Sequence, residues 1–263
     1  MLPLSELLKK SFEFYRQNFG LLAGYMAWLL LPYAGIVLFS LPESNGFLKL
    51  LIFIFSLTQA LIGIWLSVFI PLLIKDLVTD KTKIRLTELQ NKVWLIIPSV
   101  ILVAVLQLAV TLGGVILLII PGLIFWVWFA LSQYVVMFEN KKGLAAMSQS
   151  RELVRGRFWP VGARLLVGPA VFGVFLILLT ALATAIFSTI SGTTIEQLTG
   201  STPPLWLDII STIAETFSVP ILLIYLTLLY LDLVKVNPLT PALSRPTSLE
   251  LRGTGREGDS LGE

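Results

Sequence analysis

Three features of this sequence predict an all-α membrane protein with six transmembrane helices. The 263-residue chain is 56% hydrophobic and 13% charged, with a mean hydropathy of +0.87, so too few polar side chains remain to cover a water-facing surface. Its apolar stretches are long and uncharged, whereas a membrane barrel would alternate apolar and polar residues over short segments. The Lys and Arg residues gather into segments that the apolar stretches separate.

The elements follow in order. Residues 2–19 place Leu4, Leu8, Phe12 (or Ser11), Tyr15 and Phe19 on one helical face and Glu6, Lys9, Lys10, Glu13 and Arg16 on the other. That pattern predicts an amphipathic helix lying in the membrane interface. It is too charged for a signal peptide, and no small-residue cleavage site follows. The first span covers about residues 20–40 and the second about 49–74, ending at Lys75-Asp76. A basic segment, 75–92, comes next. No residue from Trp94 to Phe138 is charged, about twice the length that one span of roughly 20 residues needs. This run is therefore two helices and a tight turn. Pro121-Gly122 is the expected turn, with Pro second and Gly third in a type II geometry, and Gly113-Gly114 is the alternative. A second amphipathic stretch occupies 139–159, the fifth span lies near 161–188 and the sixth near 212–234. Residues 1–236 thus form the membrane domain. The Pro-rich, then Gly-rich and charged segment 237–263 reads as a disordered cytoplasmic tail.

Charge sets the topology. Of 19 Lys and Arg residues, only Lys49 falls on the side opposite the other 18, and basic residues mark cytoplasmic loops. The expectation is an inner (plasma) membrane protein with both termini cytoplasmic. The net charge of +3 is thereby assigned to topology and to anionic membrane lipids, not to nucleic acid.

Two basic segments echo each other. Ser11, Glu13, Arg16 and Phe19 align with Ser150, Glu152, Arg155 and Phe158 at a constant offset, and each set immediately precedes a span. "TKIRLTELQNKVW", residues 82–94, is a looser third copy. The chain therefore reads as three units, each a cytoplasmic amphipathic helix and a two-span hairpin, with convergence of juxtamembrane helices as the other reading.

The stretch from Pro121 to Trp159 resembles the membrane domain attached to some bacterial glycerophosphodiester phosphodiesterases, and related six-span inner-membrane proteins. The resemblance rests on Pro121-Gly122, Glu139, Gly143, Ala145-Ala146, Ser150 and Gly156-Arg157-Phe158-Trp159, with Tyr230 to Leu233 fitting a closing Tyr-x-Asp-Leu. It implies a six-span fold. It implies no hydrolase activity, because the phosphodiesterase domain has no counterpart here.

The chemistry points away from an enzyme. With no His and no Cys, the commonest general base, the commonest metal ligand and thiolate chemistry are all missing. The carboxylates are dispersed, and Asp208 and Glu215, seven apart, read as solvated interfacial charges. No catalytic residue, cofactor or metal site is expected. No ionisable residue is expected in mid-membrane, where such groups are costly. Gln59, Gln107 and Gln133, one in each of spans two, three and four, read as interhelical hydrogen bonds or as a hydrophilic path. Pro169 in span five and Pro220 in span six are candidate helix breaks. Gly20 with Gly24, and Ala181 with Ala185, favour close helix packing, within the chain or in a homo-oligomer.

The expected role is an accessory or scaffold protein that organises anionic lipid or a membrane protein partner. Its lipid-surface residues would be Lys9, Lys10, Arg16, Arg151, Arg155, Arg157 and Trp159. The alternative is an uncoupled transporter of a small or amphiphilic solute, which a polar cavity joining the three glutamines would favour. The topology is tested on intact cells with single cysteines and a membrane-impermeant thiol reagent. A cysteine placed within 43–46 is expected to be labelled and one within 141–145 to be protected. The reverse pattern overturns the topology.

Overall fold

The computed structural model describes residues 1–41, 45–79, 86–192 and 204–236. Among them all regular structure is helical, with no strand, as required where lipid offers no hydrogen-bond partners to the backbone. Six segments are long and apolar enough to cross a membrane: Phe19–Ser40, Gly46–Thr79, Leu86–Ile116, Ile119–Glu139, Phe158–Ser191 and Leu205–Val236. The tail at 237–263 and Lys81, Lys83 and Arg85 lie outside the described residues.

Helix α1 is Leu4–Gln17. The first span is α2 (Phe19–Met26), a 3-10 turn (Ala27–Leu29) and α3 (Leu30–Ser40), and the second is α4 (Gly46–Thr79). The third is α5 (Leu86–Leu117), and the fourth is divided into α6 (Ile119–Phe129) and α7 (Ser132–Glu139). Helix α8 (Gly143–Val154) precedes α9 (Phe158–Ser191) and α10 (Leu205–Val236). The spans pair as three hairpins, and α4, α9 and α10, each about 50 Å long, exceed a hydrocarbon layer of about 30 Å.

Buried side chains gather at the end that carries both α1 and α8, hereafter the basic end. In α4 burial begins at Leu66 and runs through Ile74, in α10 it begins at Thr216, and in α9 it stops at Gly168. Towards the far end each hairpin stays paired internally, with Phe39 5.6 Å from Phe55 and Phe187 4.8 Å from Trp206. The first and third hairpins are bonded there too, Tyr33 Oη donating to Asp208 at 2.6 Å.

Four expectations are corrected. The turn of the second hairpin is not at Pro121-Gly122. It is Leu118, extended at φ −165° and ψ 144° between α5 and α6. Pro121 falls in the first turn of α6, where a missing N–H costs nothing. Gly122 is not among the positive-φ glycines, which are Gly143, Gly156 and Gly192. Its role is close approach. A Cβ on Gly122 would collide with Val115, and one on Gly114 would lie 2.9 Å from the Cα of Gly122, so the absent side chains let α5 and α6 touch.

Second, Pro169 and Pro220 break nothing, because α9 and α10 run continuously through them. Third, the middle basic segment forms no separate helix over its described part, since Leu86 to Lys92 begin α5 itself. Fourth, the apolar faces of α1 and α8 are divided: Leu7 and Tyr15, and Met147 and Leu153, are buried on protein, while Phe12 and Leu144 stay exposed. Helix α1 runs antiparallel along α10, with Leu2 N donating to Asp232 at 2.9 Å and Tyr15 Oη to the Phe217 carbonyl at 2.6 Å. Burial pushes the Tyr15 phenol pKa up, so it stays a donor. Gly20 and Gly24 have open space around them and Ala181 and Ala185 are exposed, so these small residues do not serve internal packing.

The echo between the first and third units extends to the structure. Helices α1 and α8 start at Leu4 and Gly143, α2 and α9 at Phe19 and Phe158, all in the register that aligns Ser11 with Ser150. In that register Leu7, Ser11, Tyr15, Leu22 and Met26 are buried, and so are Ala146, Ser150, Val154, Val161 and Leu165. Convergence explains similar composition, but not common helix starts and buried positions, so repetition is the better account.

The glycine contact gives a ranking. Gly122→Val and Gly114→Val are expected to lower the yield of folded protein strongly. Gly113→Val is tolerated better, because a Cβ there meets nothing within 4 Å. Size-exclusion recovery in detergent reads the order, and a larger loss for Gly113→Val contradicts the close approach.

Candidate functional site

Two polar assemblies occupy the basic end. In the first, Glu139 closes α7 with its side chain only 2% exposed. Asn140 ends the helix in the left-handed region at φ 56°, which turns the chain towards α8 and keeps the carboxylate under it. Tyr230 Oη, on α10, donates to Glu139 Oε1 at 2.6 Å. Lys141 Nζ lies 3.4 Å from Glu139 Oε2 and donates to Gln149 Oε1 on α8 at 2.8 Å. Lys75, on α4, donates to the Phe138 carbonyl at 3.3 Å and sits 5.1 Å from the Phe138 ring centroid. The Tyr230 ring packs against Tyr134 and Phe138, with centroids 5.9 and 5.2 Å away. The second and third hairpins thus meet at the Glu139 carboxylate, and the first joins them at the adjacent Phe138 carbonyl, an arrangement that satisfies a buried charge.

The second assembly is the corner between α8 and α9. Ser150 Oγ donates to the Trp128 carbonyl at 2.7 Å, which seats α8 on the α6–α7 segment. Gly156, at φ 76°, turns the chain into α9. The Arg151 guanidinium stacks 4.4 Å from the Trp128 ring centroid, a contact worth about 0.5–1 kcal/mol where exposed. Arg151, Glu152, Arg155, Trp128 and Phe158 line an open cavity of about 590 Å³.

The anticipated lipid-surface residues divide here. Arg151 and Arg155 line this cavity, and Trp159, 81% exposed, stands beside it. Arg157 is not a lining residue: it is half-buried, and its Nη1 is enclosed without a partner. Lys9, Lys10 and Arg16 are exposed on α1, and Lys10 pairs with Glu6 at 2.8 Å. On α8 Leu144 is exposed and Met147 buried.

The three glutamines do not converge. Gln59 lines a cavity between α4 and α10 that includes neither Gln107 nor Gln133. The side-chain carbonyl of Gln107 is buried without a partner and Gln133 is half-buried. Glu215 lies beside Gln59. It is exposed on α10 and lines the Gln59 cavity.

Comparison with protein-family models, with curated proteins and with solved structures finds no match. The class established by the fold is a six-span helical membrane protein. Sequence reasoning missed the partnership of Glu139 with Tyr230. Both residues had been noted in the motif resemblance, and their rarity as polar groups beside apolar runs was the available signal.

Tyr230→Phe is expected to destabilise the protein by about 1.5–3 kcal/mol, the range for a hydrogen bond to a charged group. Lys141→Gln should cost under about 1 kcal/mol, because Lys141 is 42% exposed and solvent screens it. Unfolding in mixed micelles measures both. Equal losses would mean that the carboxylate depends on Lys141 as much as on the tyrosine.

Proposed function

We propose that this protein is a non-catalytic scaffold of the inner (plasma) membrane, with cytoplasmic termini, that collects anionic lipid headgroups at its basic end. The observation that carries the reading is the α8–α9 corner. Arg151 and Arg155 line one open cavity, with Glu152 as its single acidic neighbour and the exposed Trp159 alongside. Arginine forks match phosphate oxygens, and tryptophan favours the headgroup level. A clustered basic surface of this kind draws anionic lipid at about 1 kcal/mol per cation. Lys9, Lys10 and Arg16 add exposed charge on α1. The motif resemblance to a membrane domain that elsewhere accompanies phosphodiesterases accords with an accessory role. The transporter alternative finds less support, because Gln59, Gln107 and Gln133 share no cavity.

The test uses the full chain, because Met147, Leu153 and Val154 of α8 are buried in protein and an isolated peptide would expose them. Native mass spectrometry of the detergent-purified protein compares retention of phosphatidylglycerol and phosphatidylcholine. Preferential retention of phosphatidylglycerol is expected, weakening in salt and falling roughly 30-fold in the Arg151→Gln/Arg155→Gln variant. Unchanged retention in that variant overturns the headgroup reading.

A further inference from the structure

The cavity between the first span, α4 and α10 encloses about 300 Å³, and its polar lining is Gln59, Ser67, Thr212, Glu215 and Thr216. Helix α10 carries three acidic residues, and two are engaged: Asp208 by Tyr33 and Asp232 by the Leu2 amide. Glu215 forms no hydrogen bond or ion pair among the described residues. It lies about 10 Å along the helix from Asp208 and about 25 Å from Asp232. A hydrocarbon layer of about 30 Å centred between those two aspartates leaves Glu215 about 7 Å inside it. An ionisable side chain at such a depth is expensive and marks a binding function.

The neighbouring polar groups are vacant too. Thr216 is 7% exposed, and among the described residues neither its hydroxyl nor the Gln59 amide forms a hydrogen bond. Three side chains from two helices therefore present a carboxylate, an amide carbonyl and a hydroxyl to one open cavity, where Glu215 is exposed and Gln59 half-buried by protein, so that in hydrocarbon their hydrogen-bond partners must come from a ligand. Ser67 differs, because its hydroxyl is used by the Ile64 carbonyl at 2.8 Å.

We propose that this cavity binds the primary ammonium head of an amphiphile. An ammonium group has one positive charge, three donors and no acceptor, which complements the carboxylate and two neutral acceptors. A bare alkali cation would need about six oxygens, more than this lining supplies. The remaining walls are mostly aliphatic, with Met26 among them, and suit the methylenes next to the head. The site is separate from the arginine corner, which takes anions, and does not rest on the scaffold reading.

The protein is reconstituted in nanodiscs of phosphatidylcholine and phosphatidylglycerol, and binding of dodecylammonium, dodecyltrimethylammonium, dodecanol and ethylammonium is measured by calorimetry. Dodecylammonium is expected to bind at least tenfold more tightly than the other three. Glu215→Gln, nearly isosteric, is expected to weaken it at least tenfold, and Thr216→Val severalfold. Glu13→Gln, an exposed carboxylate on α1, leaves it unchanged. Replacing part of the phosphatidylcholine by phosphatidylethanolamine distinguishes the sources. Competition assigns the site to the bilayer's own headgroups, its absence to a free amphiphilic amine, and both support the ammonium site. Equal binding of dodecanol and dodecylammonium, full binding of ethylammonium at the same concentration, or unchanged affinity in Glu215→Gln overturns the proposal.

Discussion

The three hairpins converge at the end of α7, on the Glu139 carboxylate and the Phe138 carbonyl beside it. The carboxylate belongs to the second hairpin, receives the Tyr230 hydroxyl from the third, and adjoins the Phe138 carbonyl that Lys75 of the first engages. A carboxylate left alone in such surroundings would be strongly unfavourable, so any arrangement that separates these helices must also expose or orphan it. Apolar packing in lipid is weakly directional, because acyl chains are as apolar as leucine. Specificity therefore falls to the few polar contacts, and the basic end holds them.

The rest of the bundle follows from that anchor. Helices α1 and α8 occupy equivalent places in the first and third units. Each buries a serine, Ser11 and Ser150, and turns its charged residues outward. Ser11 closes locally on the Leu7 carbonyl, while Ser150 reaches across to the Trp128 carbonyl. The two units thus share a register but not a contact. The second unit has no separate leading helix in its described part, and its span breaks instead between Phe129 and Ser132.

The six spans were legible because a hydrocarbon solvent leaves long uncharged runs that nothing else explains. The hairpin turn was misread for a physical reason. Pro-Gly marks turns whose backbone needs a positive φ, but here Pro121 occupies a helix start and Gly122 serves interhelical contact. The amphipathic helices were recognised by periodicity, yet periodicity does not say whether an apolar face meets lipid or protein, and each buries part of its face on protein while Phe12 and Leu144 stay exposed. The Glu139 network joins residues 91 positions apart, and such pairing is a property of packing that no local pattern encodes.

The uneven distribution of burial has a consequence for the surrounding lipid. The hairpins are knitted together near their charged end and each is largely self-contained beyond it, with crevices where a soluble protein would place more core. No described side chain fills these gaps, and water is costly in hydrocarbon, which leaves acyl chains of the leaflet farther from α8 as the filling that a bilayer offers. The molecule is in this sense unfinished without its solvent. Chain length and unsaturation in that single leaflet become determinants of how far the hairpins stand apart, which makes the lipid composition of one leaflet a structural variable of the protein.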